Sequence, residues 1–224
     1  MTLNTFLFDF DGTLADTAPA IIATVNQTLN SFGYNSASEN DVRNLIGKPL
    51  EIIFEKLEPS CDAKFLALKY KSSYLEIARS EVELFKGTQE FLEKLKIEGK
   101  ELAIISTKST KAIEQHLKDF GISNLFSLVI GGDTVTNQKP DPEGIFLAIK
   151  SLQANPKTTI MIGDTKDDLL AAKNAEIKSA LVEWTNQPIE NLKNEFKPIL
   201  IGSWEGFKSE LEGEKEMSNF ISFK

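Results

Sequence analysis

Thr5-Phe6-Leu7-Phe8-Asp9-Phe10-Asp11-Gly12-Thr13 is an apolar run that ends abruptly in two carboxylates and a glycine. Phenylalanine and leucine bounded by glycine read as a buried strand. Such a strand cannot hold bare carboxylates unless something compensates them. Asp9 and Asp11 stand two residues apart, so on an extended chain they lean to the same side. A divalent cation with oxygen ligands is the natural compensation, and the pair becomes a candidate site.

Downstream of that strand the pattern is helical. Pro19 suits an early helix position, and Ile21, Ile22, Val25, Thr28, Leu29 and Phe32 form a stripe that stops at Gly33. Ser38 with Asp41 resembles a capping box before a short helix ending at Gly47, and Pro49 opens another. The period continues from Asp62 to about residue 79, and from Ala15 to Glu83 only helices are expected. Beyond Gly87 the grammar alternates. Strands are predicted at Leu102 to Ile105, Leu128 to Ile130, Thr159 to Ile162, Ala180 to Val182 and Ile199 to Ile201, each separated by a helical stretch. Near-continuous apolar strands alternating with amphipathic helices predict an α/β fold, a doubly wound parallel sheet. The first strand belongs to that sheet. Residues 16–83 then become an inserted all-helical domain, 1–15 and 84–208 a discontinuous core, and 209–224 a polar tail.

Composition narrows the partners. The chain has 224 residues, 41% of them hydrophobic and 26% charged, which fits an ordinary globular protein. Its formal charge of −8 argues against nucleic acid or an anionic membrane surface, so an anionic ligand must be met by local positive charge. Cys61 is the single cysteine, which suits a reducing compartment and predicts a cytoplasmic location. Asp9 and Asp11 interrupt the first apolar run too early for a signal peptide or a membrane span.

In open parallel sheets, ligands bind beyond the carboxyl ends of the strands. Those ends carry Asp9 and Asp11, then Ser106-Thr107, then Gly131-Gly132-Asp133 leading to Lys139-Pro140, then Gly163-Asp164 with Asp168 beyond. Carboxylates, a hydroxyl and a lysine together suit a Mg²⁺ ion and a phosphate. Asp9-Phe10-Asp11-Gly12-Thr13, Ser106, Lys139-Pro140-Asp141-Pro142 and Gly163-Asp164-Thr165-Lys166-Asp167-Asp168 resemble, in order, the four motifs of the haloacid-dehalogenase-like (HAD) phosphatases. Within that superfamily the chain is most similar to the phosphoglycolate-phosphatase-like branch, which has a Rossmann-like core and a helical cap.

The resemblance implies a Mg²⁺-dependent phosphatase of a small phosphorylated metabolite. Asp9 would be the nucleophile that forms an aspartyl-phosphate, and Asp11 the acid and base. Metal binding is implied for Asp9, Asp11 (through its carbonyl), Asp164 and Asp168, the last orienting coordinated water. Ser106, Thr107, Lys139 and the backbone near Gly12 would bind phosphate. The branch often has Thr-Asn where this chain has Ser106-Thr107. Lys48, in the turn Gly47-Lys48-Pro49, is the candidate specificity contact from the cap. A monomer or a homodimer fits equally.

Bland readings stand beside these. Asp167 reads as a helix N-terminal acid, Cys61 as inert, Trp184 and Trp204 as packing residues, and His116 as a surface or boundary residue with no catalytic part. The alternative functions are a phosphomutase or phosphonatase of the same superfamily, the latter recruiting Lys48 as an imine former. From a different class come a phospho-accepting signalling module and a non-catalytic phosphate-binding protein.

Overall fold

β1 (Thr5–Phe8) is buried along its whole length because it has a neighbour on each side. The computed structural model describes residues 3–185 and 187–211. After β1 come β2 (Ala15–Asp16) and the helices α1 (Ala18–Ser31), α2 (Glu39–Arg43), α3 (Leu50–Leu57) and α4 (Ala63–Glu81), then β3 (Glu83–Leu84). The chain then alternates through α5 (Thr88–Ile97), β4 (Glu101–Ile105), α6 (Thr110–Asp119), β5 (Leu128–Ile130), α7 (Glu143–Ser151), β6 (Thr159–Gly163), α8 (Lys166–Asn174), β7 (Lys178–Val182), α9 (Ile189–Phe196) and β8 (Ile199–Ile201). A helical segment over 204–211 follows.

Among the described residues the main sheet has the order β5-β4-β1-β6-β7-β8, and every pairing in it is parallel. Phe8 stands opposite Ile104 on one side and Ile162 on the other, so the ends of β1, β4 and β6 come level at one edge. Alternate residues of β1 face opposite layers. Phe6 and Phe8 pack with Phe91, Leu92 and Leu95 of α5 and with Ile113 and Leu117 of α6. Leu7 packs with Ile145 and Ala148 of α7 and with Ala171 and Ala172 of α8. The predicted doubly wound parallel sheet is borne out.

The stretch between Ala15 and Glu83 departs from the helices-only expectation at both ends. Ala15 pairs with Leu84 and Asp16 with Glu83 in a two-stranded antiparallel ribbon. Two residues per strand are too few to show alternation in a sequence, and long-range pairing supplies what propensity does not. The ribbon ties the two crossings into and out of the helical segment. Apolar packing continues through it: Phe10, Leu14 and Ala15 belong to the same core as Val25, Leu29, Phe54, Tyr70 and Tyr74 of the inserted helices. The expected polar tail lies outside the described residues from position 212 onward. Among the described residues, no helix is long and apolar enough to cross a membrane.

Trp204 closes the layer over α5. Its ring stacks on Phe91 at 4.8 Å between centroids and meets Phe8 edge-on at 6.1 Å. Its indole N–H donates to Thr88 Oγ1 at 2.8 Å, and that hydroxyl donates to the Leu14 carbonyl at 3.2 Å. Trp204→Ala is therefore expected to lower the unfolding free energy by about 3–5 kcal/mol in urea titration, and Trp204→Phe by less. A loss under about 1 kcal/mol for the alanine variant would contradict this packing role.

Candidate active site

The level strand ends collect buried charge. Asp9 follows β1 and is 3% exposed, Asp164 follows β6, and Asp168 lies in the first turn of α8 with no exposure. One carboxylate oxygen from each of these three lies within 4.8 Å of the other two. The ammonium of Lys139 reaches between them. Its Nζ donates to Asp9 Oδ1 at 2.8 Å, to Asp168 Oδ1 at 2.5 Å and to the Ile105 carbonyl at 3.0 Å, which uses all three donors.

Burial pushes the Asp9 carboxyl up to about 6, against the pull of Lys139 and helped by the charges of Asp168 and Asp11. Asp164 is also raised well above its ordinary value, by burial first and then by Asp168 and Asp9. Burial alone would lower Lys139, but Asp168 and Asp9 overcome it and hold the ammonium above its ordinary value. The site carries more negative charge than one lysine balances.

The donor set tests whether a cation fits. Asp168 is spent within the protein: besides Lys139, its Oδ2 accepts from Thr165 N at 3.0 Å and Thr165 Oγ1 at 2.7 Å in a reciprocal capping box. Asp164 Oδ1 accepts from Thr13 Oγ1 at 3.2 Å. Among the described residues, Asp9 Oδ2 and Asp164 Oδ2 accept no hydrogen bond, and the carboxylates of Asp9 and Asp164 lie in one cluster with Asp168. A Cβ on Gly12, where φ is +79°, would lie 2.5 Å from Asp164 Oδ2, so only glycine leaves that oxygen room. Hard oxygen donors of this kind fit a divalent cation.

The other expected site residues distribute as follows. Asp11 stands apart from the three clustered carboxylates, and its Oδ1 accepts from Lys108 Nζ at 2.9 Å. The Gly12 amide donates to the Ala15 carbonyl at 2.9 Å. Ser106 ends β4, is buried, and its Oγ accepts from Lys108 N at 3.4 Å. Thr107 lines a cavity of about 650 Å³ between the sheet edge and the inserted helices. Lys48 also lines this cavity, and its ammonium contacts Asp167 of α8. Asp167 is thus a first-turn acid and a partner for the inserted segment as well.

The family model for haloacid dehalogenase-like hydrolases matches residues 6–182. The chain belongs to the haloacid dehalogenase-like hydrolases. Among curated proteins, Pyrophosphatase PpaX of Listeria welshimeri is 36% identical over 197 residues, covering 88% of this chain and 90% of that protein. Pyrophosphatase PpaX of Halalkalibacterium halodurans is 35% identical over 182 residues, covering 81% and 84%. Among solved structures, a haloacid dehalogenase-like family hydrolase from Streptococcus pneumoniae superposes with a TM-score of 0.83 at 26% identity, covering 92% of this chain and 97% of that one. A predicted phosphoglycolate phosphatase from Haemophilus somnus gives 0.86 at 25% identity, covering 93% and 98%.

Three residues around the site of this hydrolase escaped the sequence. Lys108 stands in a loop after β4 with no apolar run to mark it. Tyr74 looks like one more stripe residue of α4. His116 contradicts its expected surface or boundary place: it is 3% exposed, stacked on Phe10 at 5.6 Å, with Nε2 3.2 Å from Tyr74 Oη. Burial, then Lys108, pushes it down to about 4, so the ring is neutral at pH 7. The spacing of Ala112, Ile113, His116 and Leu117 along one face of α6 was the available signal.

Lys139→Met should expose how much the buried carboxylates depend on one ammonium. Asp9 titrates higher folded than unfolded, so the native state holds more protons between about pH 4 and 6 and this group's stabilisation is lost as pH rises through that window. Without Lys139 the window extends upward. The variant is therefore expected to lose about 3–5 kcal/mol at pH 8 and distinctly less at pH 5 in urea unfolding without divalent cation. Equal losses at both pH values would contradict the assignment.

Proposed function

We propose that this hydrolase is a Mg²⁺-dependent phosphatase of small phosphorylated metabolites, acting through an aspartyl-phosphate on Asp9. The observation that carries the reading is the buried cluster of Asp9, Asp164 and Asp168 around Lys139 at the carboxyl edge of a parallel sheet, where buried Ser106 also follows a strand. Asp9, Asp164 and the Asp11 carbonyl would hold the ion, with Asp168 fixing Lys139 and the turn at Thr165. A bound Mg²⁺ supplies positive charge that polarises a phosphoryl oxygen.

In this reading an Asp9 oxygen attacks phosphorus as the phosphorus–oxygen bond to the leaving group breaks. Asp11 gives its proton to the departing oxygen. Water then attacks the phosphorus of the aspartyl-phosphate, returns a proton to Asp11, and phosphate leaves with Asp9 restored. Lys139 and Ser106 bind the transferring phosphoryl oxygens, with Thr107 beside them. Residues 1–15 and 84–208 serve as the core and 16–83 as a cap that encloses the substrate.

The substrate class follows from the cavity and the relatives. Lys48, Lys71, Lys108 and Lys111 line it against Asp11, Glu51 and Asp133, a small local excess of positive charge on a chain of net charge −8. Its apolar wall includes Ile53, Leu50, Tyr70 and Tyr74. The lysines suit an anionic molecule, and the PpaX relatives make inorganic pyrophosphate the first candidate, ahead of phosphoglycolate and sugar phosphates. A single cysteine suits work in the cytoplasm.

The test is phosphate release from a panel containing pyrophosphate, phosphoglycolate and sugar phosphates. Asp9→Asn should reduce turnover by at least about 10³-fold, as should removal of Mg²⁺ by chelation. Turnover surviving in Asp9→Asn would sink the covalent role. The ion should also act on stability with a known sign. Below about pH 6 it competes with a proton on Asp9, so Mg²⁺ is expected to raise the thermal midpoint more at pH 8 than at pH 5. A rise independent of pH would argue against Asp9 as a ligand.

A further inference from the structure

We propose that Lys108 and Tyr74 are positioning residues for Asp11, so that a side chain of the inserted helix α4 sets the aim of the carboxylate that handles the leaving group. The inference rests on the acid and base role given to Asp11 above.

A continuous chain of contacts motivates it. Lys108 Nζ donates to Asp11 Oδ1 at 2.9 Å and to Tyr74 Oη at 2.8 Å. The same ammonium lies 4.2 Å from the centroid of the Tyr74 ring. Tyr74 Oη is in turn 3.2 Å from His116 Nε2, and the His116 ring stacks on Phe10, the residue before Asp11. The polarity of this chain is settled by what its members can do. An ammonium only donates, so the Tyr74 oxygen accepts from it. Burial raises the phenol far above its ordinary value, so its proton stays on, and with His116 neutral the two share one hydrogen bond, donated by the phenol when the ring proton is on Nδ1. The donation from Lys108 to Tyr74 is thus fixed, and His116 holds the phenol from its far side.

Geometry separates this from an ordinary ion pair. The side chains of Lys108 and Asp11 are 8% and 10% exposed, so the pair is shielded from water. Asp11 has a cation that is not the one bound to Asp9, because Lys139 is fully engaged by Asp9, Asp168 and the Ile105 carbonyl. A lysine has four rotatable carbons and little intrinsic orientation, so a lone Lys108 would leave Asp11 free to turn. Tyr74 removes that freedom from the opposite side. The tyrosine comes from residues 63–81, whereas Asp11, Lys108 and His116 come from the sheet and its helices. Alignment of Asp11 thus depends on the inserted segment being seated against the sheet edge. Tyr74 also lines the cavity, so the residue that feels the substrate is the one that steadies the acid.

The experiment reads leaving-group dependence, which a purely structural role does not change. For a series from p-nitrophenyl phosphate to unsubstituted phenyl phosphate, log kcat/KM is plotted against leaving-group pKa for the full chain with Mg²⁺. A well-aimed Asp11 protonates poor leaving groups and keeps the slope shallow. In Tyr74→Phe, which keeps the ring and removes only the hydroxyl, phenyl phosphate should lose roughly tenfold more kcat/KM than p-nitrophenyl phosphate. Lys108→Met should steepen the slope at least as much, and the double variant should add little beyond Lys108→Met. Parallel losses across the series in Tyr74→Phe overturn the inference. Asp11→Asn separates the two levels: if it steepens the slope and Tyr74→Phe does not, the positioning inference alone fails. If Asp11→Asn leaves the slope unchanged, the acid and base role fails and the inference falls with it.

Discussion

One ammonium between two buried carboxylates is the constraint on which the rest of this hydrolase depends. Lys139 holds Asp9 and Asp168 together from a loop far along the chain. Neither acid could stay at the end of a buried strand or in a buried first helical turn without it. The cost of so much buried charge is met by geometry: β1 is central, so the ends of β4 and β6 lie beside it and deliver the Ile105 carbonyl, Asp164 and the α8 turn to the same point. Gly12 then leaves the space that Asp164 needs.

A second lysine divides the labour between the two leading aspartates. Asp9 faces Lys139 and Asp11 faces Lys108, so two carboxylates two residues apart meet different cations. The first set lies within the sheet edge. The second reaches through Tyr74 into the inserted helices, whose apolar core is continuous with that of the sheet through Phe10 and Leu14. Tyr74 therefore belongs both to the cavity wall and to the contacts around Asp11.

Much of this was legible from residue patterns. Phe6, Leu7 and Phe8 read as a buried strand because a central parallel strand is covered on both faces, and the alternation beyond Gly87 located the remaining strands of the sheet. Residues at strand ends were legible for the same reason: the carboxyl edge is where side chains escape the packing pattern, so Asp9, Ser106, Lys139 and Asp164 stood out. The β2 and β3 ribbon was not, because two-residue strands exist only as a pair. His116 was misjudged because one polar residue in an amphipathic stripe looks like a break in it, and only the phenol of Tyr74 makes its burial affordable.

By itself, then, the sequence determined the class of fold, the order of its elements and the acidic and basic residues at the strand ends, since these follow from local periodicity and from the cost of burying charge. Tertiary structure alone decided which partner each charge takes. It sent Lys139 to Asp9 and Asp168, Lys108 to Asp11, Lys48 to Asp167 and the Gly12 amide to Ala15. Hydrogen bonds and ion pairs act over a few ångströms, whereas most of these partners lie tens of positions or more apart along the chain, and only the packed chain brings them within range.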